Sequence, residues 1–545
     1  MKHCGVRKKS SLLGINRRFF LRSTSAFLGT SSLLGFPSYI RGRSSIENLR
    51  KEATHRQRRI ILDDDGDLVY SPEAKKGARA FLALRLNPVL GTPVDSIAWC
   101  IMWGIAKGQG QTRYWETQQR GCPLNESISD PTPVMVQAAQ KHQLEIFGSI
   151  RMNDTHDAFG MPEGKLIYPV KVEHPEWLLG NKSQKGKPFT TMDAAMWSGL
   201  NYAIKQVRED RLWWIKHTVE NYLVDGIDLN FFRMPWYFKQ GEEDSGMALM
   251  NELIRHARCI INKVSESRGR PILLGVRIPG TLKTCQRTGL DVETWLKENL
   301  VDRLLVGGGY TVFTNPVQEM VQLGHFHDVP VYPCINCGLK VFGSDKAMRG
   351  AASNILSAGA DGIYLWNYQY RKVPMLAYGR PEPSSYRLLE DLKSAAALRF
   401  QNKIFGVDYH QDIGPYENAS HPGQLPIKLD PGNSGSKVAV TIPVGDDVMA
   451  AKRSNRFHKA ILELQLEGLQ SDEQIKAQLN DHRLEVKSTK ILKKNNNNSL
   501  IKILYNLSSA PIKQGNNQLH VWMKKSRKQF ITPTLCHVWL KVDYL

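Results

Sequence analysis

A unit of one short apolar run and one stretch of helical periodicity repeats between Arg59 and Tyr370, and this repeat restricts the fold more than any other feature. Apolar and β-branched residues fill the short runs, and the longer stretches space their apolar residues three or four apart. Buried parallel strands that alternate with helices form a doubly wound sheet or a closed barrel, and a count of eight favours the barrel. The predicted strands are Arg59–Asp63, Ser96–Met102, Glu145–Ile150, Gly226–Phe231, Ile272–Ile278, Arg303–Val306, Pro330–Ile335 and Gly362–Trp366.

The pattern changes after Tyr370. Ser384–Leu398 predicts one more amphipathic helix, and beyond residue 400 short alternating runs are separated by Gly, Asn and Pro. Such runs are typical of an all-β sandwich. We therefore predict an α/β chain in three parts. They are a signal and linker over 1–58, a (β/α)8 TIM barrel over 59–400, and a β-sandwich accessory domain over 401–545.

The formal net charge of +21 lies at the two ends of the chain. Residues 1–59 hold 14 basic and 2 acidic residues, a net +12, and residues 451–545 hold 17 and 7, a net +10. The remaining residues, 60–450, therefore carry a net charge of −1. Nucleic-acid binding relies on clustered Lys and Arg that neutralise phosphates. A barrel without net positive charge argues against nucleic acid as the partner.

The first residues have the features of an export signal. A basic stretch leads to Asn16-Arg17-Arg18-Phe19-Phe20-Leu21-Arg22, and a weakly apolar run follows from Ser23 to Phe36. This order is similar to a twin-arginine signal. The apolar run is shorter than the roughly 20 residues that span a membrane. We expect export by the twin-arginine translocase to the periplasm or medium, with no stable membrane span; the alternative is a basic amphipathic anchor.

The fourth predicted strand carries the densest group of polar residues, Asp225–Arg233. Side chains alternate along a strand, so Asp228 and Asn230 point to the same side, which we predict to be the barrel interior near its mouth. A carboxylate there could serve as acid, base or nucleophile at a glycosidic bond. The alternative is that Asp228 forms a buried ion pair with Arg233, Arg277 or Arg151.

Glycoside hydrolysis normally uses two carboxylates, so Asp228 needs a partner. Asp154, or Asp64 or Asp65 of the acidic trio after the first strand, could supply it, although Asp-Asp-Gly is also a common turn. The trio could instead bind Mg²⁺ or Ca²⁺, but we expect no metal and no cofactor. Other polar and aromatic residues at the strand ends are predicted to bind substrate. They are Arg151, Asn153, Asn230, Arg233, Trp236, Arg277, Tyr310, Asn336, Trp366 and Asn367.

Three stretches, Arg151–Asp157, His174–Trp177 and Asp225–Arg233, resemble the glycosyl-hydrolase-like family 10 of bacterial proteins, and the similarity extends over roughly residues 60–375. The resemblance implies a barrel glycosidase with catalytic carboxylates at its strand ends. Related sequences often carry a second acid where this chain has Asn230, and an amide cannot exchange a proton near neutral pH. We therefore predict an exported glycoside hydrolase, with a catalytically silent carbohydrate-binding barrel as the alternative.

Overall fold

The structure of the protein is a computed structural model, and residues 45–545 form one compact unit. The residues that it describes are 45–65, 72–101, 106–108, 111–113, 128, 130–158, 168–181, 183, 196–307, 313, 315–338, 340–371, 383–407, 423–429, 437–469, 475–495, 498–509, 511–523 and 532–545. The predicted twin-arginine segment lies outside them. No helix among the described residues is long and apolar enough to cross a membrane.

Eight parallel strands close into a barrel, which confirms the predicted fold. Each strand pairs with the next in the chain, and the first pairs with the last, with Ile60 opposite Ile363 and Asp63 opposite Trp366. Helical segments lie between the strands, as the repeat of the sequence predicts. The strands are β1 Ile60–Asp64, β2 Val94–Cys100, β3 Glu145–Arg151, β4 Gly226–Asn230, β5 Leu273–Ile278, β6 Arg303–Val306, β7 Val331–Asn336 and β8 Ile363–Trp366.

The helices surround the barrel because each has one apolar face that packs on the strands. The predicted single helix Ser384–Leu398 is three short helices in the structure. The last two are separated at Ser394, which is extended and accepts a hydrogen bond from Ala397 N. The described helices are α1 Ile46–Thr54, α2 Ala78–Arg85, α3 Thr132–Lys141, α4 Pro169–Glu173, α5 Lys205–Asn221, α6 Glu243–Arg268, α7 Leu282–Gln286, α8 Val292–Lys297, α9 Gln318–Phe326, α10 Asp345–Ser357, α11 Pro383–Tyr386, α12 Leu388–Leu392, α13 Ala395–Leu398 and α14 Val448–Arg453.

The C-terminal region is an antiparallel β sandwich, as predicted. One sheet has the order β9-β18-β12-β16-β15, with β10 also on β18, and the other has the order β11-β17-β13-β14. Alternate residues of both sheets form one apolar core, for example Ile442 of β11 and Leu464 of β12. These strands are β9 Lys403–Gly406, β10 Ile427–Lys428, β11 Val438–Val444, β12 Phe457–Glu467, β13 Ile475–Leu479, β14 His482–Arg483, β15 Val486–Asn495, β16 Asn498–Asn506, β17 Gly515–Met523 and β18 Thr534–Tyr544.

The sandwich packs on helix α10 of the barrel. A Cβ atom at Gly350 would lie 1.9 Å from the Ile404 carbonyl oxygen, so only glycine permits this approach of helix and strand. Beside it, the buried Lys403 ammonium lies 2.8 Å from Asp446, which also accepts from Ser353. The predicted boundary near residue 400 falls between α13 and β9. Separate folding of the two parts stays a prediction.

Candidate active site

Two acidic side chains point into the barrel from the end of β1. Ile61 belongs to the apolar cluster inside the barrel, and alternation places Asp63 and then Asp65 on the same side. Asp63 is 1% exposed, and its Oδ2 accepts hydrogen bonds from Tyr364 Oη and from Arg277 Nη1 at 3.3 Å. Its Oδ1 accepts no hydrogen bond from the described residues. Asp63 Oδ2 is therefore fixed by hydrogen bonds from β5 and β8, whereas Oδ1 has no hydrogen-bond donor among the described residues.

Asp65 uses both of its oxygens. Its Oδ1 accepts from Arg151 Nη2 at 2.9 Å, and its Oδ2 accepts from Asn367 Nδ2 at 2.9 Å and from Trp366 Nε1 at 3.2 Å. Burial alone would raise the pKa of this carboxyl, but the guanidinium groups of Arg151 and Arg233, with the Asn367 bond, hold its pKa well below the usual range. Asp65 is therefore ionised at neutral pH.

Asp63 has the opposite tendency. Burial raises its pKa and the negative charge of Asp65 adds to the effect, while Arg277 and the Tyr364 hydrogen bond oppose it, and the pKa is about 7. Of these two neighbouring carboxyl groups, Asp65 is ionised at neutral pH, whereas Asp63 gains and loses its proton near that pH. Environments that separate the pKa values of two carboxyl groups are how enzymes assign the roles of acid and base.

The other acids predicted on the first and third strands are both paired with arginine. Asp64 points to the outside of the barrel, where its Oδ1 lies 2.9 Å from Arg85 Nη2 at the end of α2. Asp154 has a fully buried side chain, and its Oδ2 lies 2.9 Å from Arg151 Nη1. Arg151 therefore bridges Asp154 and Asp65. Asp154 and Asp65 belong to the mouth of the barrel, whereas Asp64 does not.

The prediction that Asp228 lies near the mouth is corrected by the structure. Asp228 is fully buried, and its two oxygens accept from Arg303 Nε at 2.9 Å and Arg303 Nη2 at 2.5 Å. Arg303 is the first residue of β6, and Glu145, the first residue of β3, pairs with Arg58 in the same layer. These contacts place Asp228 toward the N-terminal ends of the strands. Its position favours the ion-pair alternative, with Arg303 rather than Arg151, Arg233 or Arg277 as the partner.

Three asparagines that are predicted to bind substrate each make a hydrogen bond to the backbone, and their contact with substrate stays a prediction. Asn153 donates to the carbonyl oxygens of Leu200 and Trp236 at 3.0 and 2.6 Å, and so joins two long loops. Asn230 Oδ1 accepts from Phe232 N, and Asn336 Oδ1 accepts from Gly338 N. Each closes a turn after its strand. Asn367 is different, because its amide donates to Asp65, which together with Asp63 forms the acid pair of the barrel.

Arg233, Arg277 and Trp366 meet over the acid pair. The guanidinium carbons of Arg233 and Arg277 lie 5.2 and 4.9 Å from the centre of the Trp366 ring, within the range of cation–π attraction. Trp366 is 6% exposed and both arginines are buried, so the three side chains pack as one buried group. Trp236 is buried beside the same loops, and Tyr310 lies outside the described residues.

Asp63 and Tyr364 are the functional candidates that the sequence reasoning missed. Alternation from Ile61 could have indicated Asp63, and alternation from Trp366 could have indicated Tyr364.

Cys334 and Cys337 are both free, buried thiols, and Cys334 accepts from Arg277 Nη2 at 3.6 Å. Within the described part of the chain, no three His, Cys, Asp or Glu residues are grouped to hold a metal ion.

Comparison with known proteins gives only weak likenesses. No family model and no curated protein matches the chain, so the family resemblance stays a prediction. Among solved structures, α-L-fucosidase isoenzyme 2 from Paenibacillus thiaminolyticus is 14% identical with a TM-score of 0.39; the match covers 63% of this chain and 49% of the fucosidase. The PgaB (BpsB) glycoside hydrolase domain from Bordetella bronchiseptica is 10% identical with a TM-score of 0.41 over 62% of this chain and 99% of that domain.

A family GH18 chitinase from Chromobacterium violaceum is 11% identical with a TM-score of 0.36 over 90% of this chain and 91% of the chitinase. The chain spans about half the length of the fucosidase. At these scores the likenesses transfer neither a substrate nor a site to this chain.

Proposed function

We propose that the barrel hydrolyses glycosidic bonds of a poly- or oligosaccharide, with Asp63 as the proton donor. The observation that supports this most is the pair of interior carboxyl groups at the mouth, of which Asp63 can be protonated near neutral pH while Asp65 is ionised. A general acid is most effective when its pKa lies near the working pH. Asp63 lies at the carboxyl end of a barrel strand, and barrel enzymes carry out their chemistry at these strand ends.

We assign a role to each group from its contacts. Asp63 Oδ1, the oxygen with no hydrogen bond from the described residues, gives its proton to the leaving oxygen as the scissile bond breaks. A water molecule then adds to the anomeric carbon and returns a proton to the Asp63 carboxylate. Asp65 stays ionised and stabilises the positive charge that develops on the sugar ring in an oxocarbenium-like transition state. Arg151 and Asn367 hold Asp65 in place, and Arg277 and Tyr364 hold Asp63.

The direct test is incubation of the purified full chain with a panel of polysaccharides and measurement of the reducing ends released. Release from at least one polymer supports hydrolysis. If no polymer of the panel is cut while the protein is folded, as judged by circular dichroism, the proposed activity is wrong.

The alkaline limb of the pH–rate profile is expected near pH 7, with activity present below it and lost above it. Asp63 must be protonated to act, and its pKa is about 7 in the folded protein. Tyr364→Phe removes a donor that favours the charged form of Asp63, so the limb should move to higher pH by up to about one unit. The measurement is kcat/KM between pH 5 and 9.

Tyr222→Phe is the matched control for this prediction. Its hydroxyl also donates to a carboxylate, Asp130, but neither residue contacts Asp63 or Asp65. The limb should stay in place in this variant. A limb that moves to lower pH in Tyr364→Phe, or does not move, contradicts the role given to Tyr364.

A catalytically silent glycan-binding barrel is the second candidate. The observation that favours it is that Asp64, Asp65, Asp154 and Asp228 each have an arginine partner, which is typical of a structural network. Binding to glycans on an array without release of reducing ends would support this candidate over hydrolysis.

We also propose that the protein is exported by the twin-arginine route to the periplasm or the medium. The sequence Arg17-Arg18-Phe19-Phe20-Leu21 and the weakly apolar run after it support this proposal. Replacing both Arg17 and Arg18 by lysine should retain most of the protein in the cytoplasm of a bacterium that has this translocase, because the signal is read through the arginine pair.

Cell fractionation and immunoblotting measure the distribution. Replacing Arg7 and Lys8, which precede the motif, by Lys and Arg respectively keeps the charge and serves as the control. Equal export of the Arg17→Lys, Arg18→Lys variant and the control would rule out this route.

A further inference from the structure

A cleft of about 750 Å³ lies between the outer helices of the barrel and the smaller sheet of the sandwich. The start of α9 and the end of α10 form one wall, with Gln318 and Asn354, and β11 and the start of β17 form the other, with Thr441 and Asn516. Sites for small ligands commonly measure about 300–1,000 Å³. The cleft is lined by none of the residues around the acid pair, so it is separate from the candidate active site.

The cleft is almost free of charge. Among the described residues that line it, Glu319 is the only charged side chain, although the chain as a whole has a net charge of +21. The Glu319 carboxylate also accepts from Leu282 N at 3.2 Å. An anionic ligand would meet no lysine, arginine or histidine of the described lining. The electrostatics therefore favour an uncharged ligand.

The cleft walls offer amides and hydroxyls instead. Gln318 and Asn516 are exposed, and their side chains make no hydrogen bond within the described part of the chain. Asn354 donates to the Pro443 carbonyl oxygen at 3.2 Å, and its own Oδ1 is buried with no hydrogen-bond partner among the described residues. Side-chain amides both donate and accept, which is what sugar hydroxyl groups require of a binding site.

We propose that this cleft is a second carbohydrate site, which binds an uncharged oligo- or polysaccharide without cleaving it. A polysaccharide in the cleft would contact the barrel and the sandwich at the same time. The proposal does not depend on catalysis at Asp63, because the cleft has its own residues and its own readout, which is binding.

Gel electrophoresis of the full chain through gels that contain hydroxyethyl cellulose, xyloglucan or glycogen tests the proposal, with polygalacturonate as the acidic comparison. The wild-type protein should be retarded by at least one neutral polymer. The Gln318→Ala, Asn516→Ala double variant should raise the Kd for that polymer about five-fold or more, because two hydrogen-bonding groups are lost. Ser357→Trp, which fills the cleft from the exposed end of α10, should do the same.

Gln137→Ala, an exposed glutamine on α3, is the matched control and should bind as the wild type does. Thermal unfolding of each variant separates lost binding from lost folding. The proposal is overturned if no neutral polymer retards the protein, if only polygalacturonate does, or if both cleft variants bind the neutral polymer with unchanged Kd.

Discussion

Replacing Asp63 by asparagine is expected to lower kcat for polysaccharide hydrolysis by about 10²–10⁴-fold, the usual contribution of a positioned general acid. An amide at this position can still accept from Tyr364 and Arg277, so the fold should be kept while the transferable proton is lost. The measurement is the rate of reducing-end release at the pH optimum of the wild-type protein, with KM determined in parallel.

Asp95→Asn is the matched control. Asp95 is also a barrel carboxylate with an arginine partner, Arg59, but it lies near the start of β2, at the end of the barrel opposite the mouth. Its kcat should remain within about two-fold of the wild type, since surface and rim changes away from a site have small effects. An Asp63→Asn variant with more than a tenth of the wild-type kcat would remove Asp63 from the role of proton donor.

Replacing Arg303 by methionine is expected to lower the free energy of unfolding by about 3–5 kcal/mol, because it leaves the fully buried Asp228 without its ion partner. Denaturant titration followed by circular dichroism and fluorescence measures the change. Adding Asp228→Leu to Arg303→Met removes both charges, and this double variant should be more stable than Arg303→Met alone.

Replacing Asp228 by asparagine separates a structural role of this residue from a catalytic role. If Asp228 is structural, Asp228→Asn lowers stability, while the folded fraction keeps a kcat within a few-fold of the wild type. A stable Asp228→Asn protein with no activity would show that Asp228 is a catalytic residue. Loss of less than about 1 kcal/mol in Arg303→Met would show that the buried pair is not an important part of the fold.

Local pattern was enough to predict the strands. Each buried strand is a short apolar run flanked by turns, and the order of strands and helices leaves few topologies. The acidic trio Asp63-Asp64-Asp65 at the end of β1 was also recognisable as a candidate for the site. Which members of the trio face the interior could not be predicted, because a shift of one residue in a strand exchanges its two faces. Asp63 and Asp65 face the interior, and Asp64 faces α2.

The pairing of charges could not be predicted for a related reason. Asp228 and Arg303 are 75 residues apart, and each had several possible partners of opposite charge in the sequence. Which arginine meets which carboxylate depends on the level of each residue along its strand, and therefore on the stagger of the closed barrel. The same holds for Tyr364 and Asp63, which meet only because β8 closes on β1.

The sequence by itself determined the barrel, the sandwich after it and the acidic residues at the end of β1, because hydrophobic periodicity and turn residues act over a few positions along the chain. The tertiary structure alone decided that Asp63 lies beside ionised Asp65 in the interior and that Asp228 is paired with Arg303. The physical reason is that burial and charge pairing act between residues that are distant in sequence, and these interactions set the protonation state of each acid.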